Sequence, residues 1–354
     1  MRGRPPKQTS MLCLLNVEDR VPQEHPLRPI KALADSALRS LSRTFEQAYA
    51  KKGRPSIPPE RLLKGMLLIA LYSIRSEVQF CEQLRYNLLF RWFIDMDLVE
   101  EPFDHSAFSD NRARLIEHDV ARMFFRAVVN KATAAGLMSS EHFSVDGTLI
   151  EAWASMKSFR PKDEHDAGDS NGWSDFRGEK RSNETHESKS DPEARIFRKG
   201  NGKEAKLVFM GHALMENRNG LIKDLRITTA SGRAEREAAV EMIDDNIDAA
   251  QVTVGADAGY DAQDFVDACR SRGVTPHVAQ KKHSAIDGRT TRHAGYSASQ
   301  QVRKRSEQIF GWLKVIGGMR KTRFKGRERN QLLAYMTGTA YNLLRIAKLM
   351  AATG

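Results

Sequence analysis

The sequence predicts a chain in two parts, an all-helical module followed by an α/β domain. Apolar residues recur at helical spacing through roughly the first 125 residues, whereas short β-rich runs alternate with helical runs from about residue 141. A polar segment at about 155–205 interrupts this second part. With 354 residues and 40% hydrophobic content, the chain is long enough to bury a core in each of two domains, which we place at 1–130 and 140–350.

The helical module contains a clear helix start at residues 56–60, where two prolines precede a broadly apolar run. Residues 78–90 have apolar positions at helical spacing, and a further helix follows the segment DHSAFSD. Short helices with polar turns are typical of DNA-reading helix-turn-helix units and, more commonly, of generic helical packing. The sequence leaves both readings open.

The second part begins with a strand in which Phe143 and Val145 alternate with polar neighbours, and which we expect to end at a turn at Asp146-Gly147. Asn219-Gly220 then predicts a hairpin between strands at 206–217 and 221–228. The remaining pattern predicts helices at 234–247, 262–272, 300–316 and 330–350 and strands at 251–255 and 274–278.

The segment at about 155–205 is rich in Lys, Asp, Glu, Ser, Asn and Gly and poor in aliphatic residues. It is too polar to build a core, so it is predicted to be a surface insertion or a partly disordered loop. Its basic stretch RGEKRSNETH leaves open a contact with DNA.

Positive charge is concentrated near the end of the chain. The 56 Lys and Arg residues exceed the 45 Asp and Glu residues by 11, and residues 303–348 contain twelve basic and only two acidic residues. The rest of the chain is therefore nearly neutral, and we expect a polyanionic partner at this segment.

The three cysteines are far apart and form no CxxC or Cys/His cluster, so neither a disulfide framework nor a zinc site is predicted. The longest apolar runs are shorter than the roughly 20 residues that cross a bilayer, and no signal-type apolar stretch follows the first residues. We expect a cytoplasmic protein without a membrane partner.

Three carboxylates suit phosphodiester chemistry, which needs divalent cations held by clustered acidic residues. Asp146 and Asp257 each end a predicted strand, and Glu307 lies on a late helix within the basic segment. Each alone also has a structural interpretation: a turn residue, a loop acid or helix cap, and a helix-surface partner of Arg303. The combination favours the catalytic interpretation.

These residues resemble the DDE transposases of bacterial insertion sequences, in particular the large group similar to the IS-four and IS-five families. In that family the second Asp lies in a D-x-G-Y/F context, which Asp257 to Tyr260 match, and the Glu lies in a Y-xx-R-xxx-E-xxxxxx-K motif. Arg303, Glu307 and Lys314 match the latter at the right spacing, while Gln300 stands in place of the tyrosine. Segments of the helical module resemble the N-terminal domain of the family.

The resemblance implies an RNase H-like mixed sheet with flanking helices, preceded by a helical domain for DNA binding or assembly. It implies that Asp146, Asp257 and Glu307 hold two Mg²⁺ ions, with Mn²⁺ as a substitute, and it favours Asp257 over the neighbouring Asp261. The expected function is cleavage at transposon ends and strand transfer into target DNA by a homodimer. An RNase H-like endonuclease without strand transfer and a non-catalytic DNA-binding protein are the alternatives.

On one continuous helix, Arg303, Glu307 and Lys314 would project within about 40° of one another, so that cations flank the carboxylate. Contact of these cations with DNA phosphates is predicted over simple ion pairing along the helix. The predicted DNA-binding residues are Arg303, Lys304, Arg305, Lys314, Arg320, Lys321, Arg323 and Lys325.

Overall fold

The structure is a computed structural model that describes residues 16–49, 56–162, 182–198, 200, 202–248 and 251–353. Its first part is helical, as predicted. The helices are α1 (Val17–Arg20), α2 (Leu27–Arg39), α3 (Ser42–Ala48), α4 (Pro59–Leu71), α5 (Glu77–Gln83), α6 (Leu88–Phe93), α7 (Ser106–Glu117) and α8 (Val120–Ala134).

Local signals in the sequence account for several of these helix starts. A proline occupies the first position of α4, where its missing N–H costs nothing. Ser76 caps α5 by accepting a hydrogen bond from the N–H of Gln79, and Asn87 caps α6 by accepting one from Phe90. The predicted helix after the two prolines is therefore confirmed.

A buried lysine ties the helical part together. The Lys64 side chain on α4 is only 2% exposed, and its ammonium group pairs with Asp35 at 2.5 Å and with Asp95. Lys31 pairs with the same two carboxylates, at 2.7 and 2.6 Å. Because a buried charge is tolerated only when paired, this network fixes α2 and α4 relative to the Asp95 turn.

The second part is a mixed α/β domain. Its strands are β1 (His142–Glu151), β2 (Phe159–Pro161), β3 (His186–Ser188), β4 (Arg195–Phe197), β5 (Lys206–Glu216), β6 (Ile222–Thr229), β7 (Val252–Ala256) and β8 (Val274–Val278). Its helices are α9 (Ala234–Asn246), α10 (Gln263–Ser271), α11 (Gly288–Thr291), α12 (Ala294–Val302), α13 (Ser306–Val315) and α14 (Arg327–Thr353).

The main sheet runs β6-β5-β1-β7-β8, with β4 also paired to β5. β1, β5 and β6 are antiparallel neighbours, whereas β7 is parallel to β1 and β8 is parallel to β7. This order, three antiparallel strands followed by two that are parallel to the first, is RNase H-like and confirms the expected fold.

Strand β1 is longer than the sequence predicted. Asp146-Gly147 was expected to form a turn, but β1 continues to Glu151, and Gly147 pairs with His212 of β5. The turn preference of Asp-Gly is overridden because the backbone of β1 continues to pair with β5 through both residues. Asp146 therefore lies within a strand and not at its end.

Helices cover both faces of the sheet. One face packs Phe143, Val145, Val254 and Ala256 against α9 and α10. On the other face, Ile150 packs with α13, α14 and the N-terminal helices in one continuous core. The long helix α14 contacts α2, α4, α7, α8, α13 and β6, so it joins the helical part to the sheet.

The predicted helix at 300–316 is broken. α12 ends at Val302, a short 3-10 turn spans Arg303–Arg305, and α13 begins at Ser306. α12 contacts β7 and β8, whereas α13 contacts β1 and α14, and the 3-10 turn between them has fewer residues per turn than an α-helix. The calculation that placed Arg303 on one helical face with Glu307 and Lys314 is therefore wrong for Arg303.

The described part of the polar segment packs onto the domain, which differs from the expected surface loop. β2 pairs with β3, and β4 pairs with β5. Asp191 accepts a hydrogen bond from the N–H of Gly326, and Glu193 accepts one from Arg327, so both cap the start of α14. Residues 163–181, with part of the basic stretch, lie outside the described residues.

Among the helices that the structure describes, none has the length and apolar character needed to cross a membrane.

Candidate active site

Asp146 lies in β1, and Asp257 directly follows β7, the parallel neighbour of β1. β1 and β7 pair at an offset of 111 residues from His142 with Thr253 to Ser144 with Gly255, and two residues beyond this pairing the same offset relates Asp146 to Asp257. Side chains alternate along a strand, so both aspartates face away from the α9 and α10 core. The charge of Asp257 contributes to raising the pKa of Asp146, so the two predicted carboxylates lie near each other at this end of the paired strands.

The Asp146 carboxylate is held by two hydrogen bonds. The buried Ser306 hydroxyl donates to Oδ2 at 2.6 Å, and the N–H of Gly147 donates to Oδ1 at 2.8 Å. Burial raises the pKa of Asp146 above its ordinary value, the charge of Asp257 adds to the rise, and the two hydrogen bonds and Arg303 oppose it. This carboxylate is thus fixed in position and only partly compensated by cationic charge.

Asp257 follows the last residue of β7 and begins a 3-10 turn at Ala258–Tyr260. Its Oδ1 accepts a hydrogen bond from the N–H of Gly259 at 2.7 Å, and the side chain stays half-exposed. The rival Asp261 instead accepts hydrogen bonds from the N–H groups of Lys281 and Ala285, at 2.7 and 2.9 Å. Although burial opposes this, these donors hold the pKa of Asp261 below its ordinary value, which indicates a structural role.

Glu307 lies in the first turn of α13, next to Ser306, and its side chain is exposed. The Ser306–Asp146 hydrogen bond therefore fastens the start of this helix to the strand that carries Asp146. Within the part of the chain that the structure describes, no three His, Cys, Asp or Glu side chains are close enough to hold a metal ion. The structure thus brings the two aspartates together and leaves Glu307 at the rim.

The sequence analysis missed a further acidic residue at this site, Glu235 on α9. A Cβ atom added to Gly147 would lie 2.6 Å from Glu235 Oε1, and one added to Gly259 would lie 3.8 Å from Oε2. Gly147, the residue after Asp146, therefore leaves space for this carboxylate, and Gly259 is in van der Waals reach of it. The signal in the sequence was Gly147, which the sequence pattern assigns to a turn.

Close packing of α12 on the sheet depends on Gly255 of β7. A Cβ atom at this position would lie 3.1 Å from Ser144 Oγ and 3.5 Å from the carbonyl oxygen of Ser299. The Arg303 side chain lies beside it, and its Nε donates to Gln300 Oε1 at 2.8 Å. Gln300, which replaces the tyrosine of the family motif, thus orients the arginine whose charge acts on Asp146.

The predicted DNA-binding residues fall into two environments. Arg323 is half-buried and donates to the carbonyl oxygens of Ile74 and Arg75, so it joins the loop before α14 to the helical part. Arg303 and Lys314 are half-buried. The exposed members of the set are Lys304, Arg305, Arg320, Lys321 and Lys325.

The side chains at this site suit a hard divalent cation. Carboxylate oxygens are the ligands that Mg²⁺ prefers, and Mg²⁺ commonly binds through one or two carboxylates, its own waters and substrate phosphates. The negative charge of Asp257 contributes to raising the pKa of Asp146, so the two carboxylates repel each other. A bound cation would relieve this repulsion.

Two family models match the chain. One, described as "Transposase DDE domain", matches residues 140–343. The other, described as "Transposase domain (DUF772)", matches residues 15–114. The first covers more than half of the chain and contains all three predicted carboxylates.

Two solved transposase structures are only weakly similar to this chain. A piggyBac transposase synaptic complex with hairpin DNA is 9% identical over 93% of this chain and 76% of that chain, with a TM-score of 0.44. A Mos1 transposase paired-end complex with the left transposon end is 10% identical over 89% of this chain and 84% of that chain, with a TM-score of 0.20. At this level of similarity they add nothing to the family match.

Proposed function

The chain belongs to the transposase DDE domain family and is a DDE transposase, and from this premise we propose that Asp146, Asp257 and Glu307 form its catalytic centre. The family implies dependence on a divalent metal. The observation that supports the residue assignment is that Asp146 lies in β1 and Asp257 directly follows the adjacent parallel strand β7 of an RNase H-like sheet, close enough for the charge of Asp257 to act on Asp146. The IS-four or IS-five group stays a prediction.

We propose that these carboxylates hold two Mg²⁺ ions, with Mn²⁺ as a substitute. When bound, such cations activate an attacking oxygen and stabilise a leaving oxygen. Ser306 and Gly147 hold the Asp146 carboxylate in one orientation, so little reorganisation is needed on binding. Glu307, exposed at the start of α13, is the residue whose side chain is free to turn toward bound DNA.

The reaction that we propose has two steps at the same site. In cleavage, a water oxygen bonds to a phosphorus at the transposon end, and the 3′ oxygen leaves as a hydroxyl after taking up a proton. In strand transfer, that 3′ hydroxyl attacks a target phosphodiester, and a target 3′ oxygen leaves. One phosphodiester bond breaks as another forms, so the second step needs no nucleotide cofactor.

DNA binding is assigned to the exposed cations near the centre. Lys304 and Arg305 lie in the 3-10 turn directly before Ser306, while Arg320, Lys321 and Lys325 lie in the loop between α13 and α14. Such side chains hold phosphates without reading sequence. Arg323 is left out because its guanidinium is used between the two parts of the chain.

We further propose that residues 1–130 bind or assemble on transposon ends and that residues 140–350 carry the chemistry. Bringing two ends together requires at least a homodimer in the DNA complex. Both assignments rest on the family and on the helical character of the first part.

The test is incubation of the protein with a duplex that carries a transposon end and with a circular target, with and without Mg²⁺. We expect Mg²⁺-dependent nicks at the end and joined products. Cleavage without end preference or joining would instead indicate a nuclease, and binding without cleavage would indicate a DNA-binding protein.

A further inference from the structure

We propose that Glu235 is a fourth acidic residue of the catalytic centre and that it strengthens divalent-cation binding at Asp146 and Asp257. This inference rests on the proposed function, because it concerns the same cation site. It assigns a role to a residue of α9, on the side of the sheet opposite Ser306 and Glu307.

The geometry places the Glu235 carboxylate between the two aspartate-bearing segments. One oxygen, Oε1, lies against Gly147, the residue after Asp146. The other, Oε2, lies 3.8 Å from the Cβ position of Gly259, and Asp257 Oδ1 lies 2.9 Å from that same position, so the two oxygens are at most about 7 Å apart. A side chain at Gly147 would displace Glu235, whereas a Cβ atom at Gly259 would be in ordinary van der Waals contact with it.

A buried hydroxyl independently indicates that this space takes a polar ligand. The Tyr260 side chain is 1% exposed, and its hydroxyl has no hydrogen-bond partner in the structure. Burial raises the pKa of Tyr260 well above its ordinary value, and the charges of Glu235, Asp146 and Asp257 add to the rise. An unsatisfied buried hydroxyl is costly, so its position beside three carboxylates indicates an incomplete polar cluster.

Glu235 is a positioning residue and not a direct ligand, since it lies on α9 and the aspartate side chains face away from the α9 side of the sheet. Its negative charge attracts a divalent cation held by the two aspartates, and the low dielectric of the half-buried site strengthens that attraction. Partners that act behind the direct ligands typically change metal affinity by about 10- to 100-fold.

The experiment titrates Mn²⁺ alone into the DNA-free full-length protein and follows free Mn²⁺ by electron paramagnetic resonance. Glu235→Gln keeps the side-chain volume and removes the charge. Glu237→Gln is the matched control, because Glu237 lies in the same first turn of α9 and is exposed. Asp146→Asn tests the cation site itself, and thermal melting verifies the fold of each variant.

We expect Glu235→Gln to weaken Mn²⁺ binding about tenfold and Glu237→Gln to change it less than about twofold. Equal Mn²⁺ affinities for Glu235→Gln and the wild type would overturn the inference while leaving the aspartate site intact. Unchanged binding in Asp146→Asn would overturn the proposed cation site, and the inference with it.

A second variant tests the mechanism without removing charge. Gly147→Ala places a methyl group 2.6 Å from the present position of Glu235 Oε1 and so must displace it. We expect Gly147→Ala to weaken Mn²⁺ binding about tenfold in the wild-type background and less than about twofold in a Glu235→Ala background. Equal losses in both backgrounds would show that the methyl group acts on Asp146 directly, and would contradict the inference.

Discussion

Removing the Ser306 hydroxyl tests whether the start of α13 is fastened to the catalytic strand. Ser306 is 4% exposed, and its Oγ donates to the ionised Asp146 carboxylate at 2.6 Å. A hydrogen bond to a charged group contributes about 1.5–3 kcal/mol, so Ser306→Ala should lower the free energy of unfolding by about 2 kcal/mol. Asp146 also loses a partner that orients it, so DNA cleavage should fall about 10- to 100-fold.

The assay combines urea unfolding with single-turnover cleavage of an end-bearing duplex. Ser299→Ala is the matched control, since Ser299 is also buried, at 7% exposure, but its hydroxyl bonds the neutral ring of His277 at 2.7 Å. That control should lose about 1 kcal/mol of stability and cleave at close to the wild-type rate. If Ser306→Ala and Ser299→Ala cleave DNA equally well, the hydroxyl does not position Asp146.

Three further predictions concern the rest of the fold. Lys64→Ala removes the buried ammonium group that pairs with Asp35 and Asp95, and it should lower the free energy of unfolding by about 3 kcal/mol. A loss below about 1 kcal/mol would refute the reasoning. Burial raises the pKa of Cys81 and of Cys269 to about 12. At pH 8 both thiols should therefore be alkylated on the order of a thousandfold more slowly than a free cysteine, as measured by peptide mass spectrometry, and their alkylation should become faster as the pH rises. Arg323→Ala leaves two backbone carbonyl oxygens without their donor and should lower the free energy of unfolding by about 1–2 kcal/mol, with faster hydrogen exchange in residues 74–77. Lys321→Ala, which removes an exposed ion pair, should lower it by less than about 0.5 kcal/mol.

The order of elements was predictable from the sequence because periodicity and turn residues report local structure. The hairpin at Asn219-Gly220, for example, forms between β5 and β6 as expected. Local signals failed where pairing or packing decided the outcome. Asp146-Gly147 is a turn sequence by composition, yet it lies in a central strand. Residues 303–305 are predicted to continue an α-helix, yet they form a 3-10 turn between α12 and α13.

The site was predictable in part, because the two aspartates lie in contexts typical of the family. Ser306 and Glu235 were not found, since their roles depend on contacts between elements far apart in the chain. Ser306 reaches Asp146 across 160 positions, and Glu235 on α9 lies against Gly147 of β1. Arg323 was assigned to DNA because charge in a sequence does not reveal burial.

The catalytic role of Asp257 is tested most directly by Mg²⁺-dependent cleavage of a transposon end by Asp257→Asn, compared with Asp267→Asn. Asp267 is an exposed aspartate on α10, so both variants lose one negative charge in the same region. We predict that Asp257→Asn still binds the DNA but cleaves it at least about a thousandfold more slowly, while Asp267→Asn cleaves at the wild-type rate. Wild-type cleavage by Asp257→Asn would contradict the assignment of the two side-by-side aspartates as the catalytic centre.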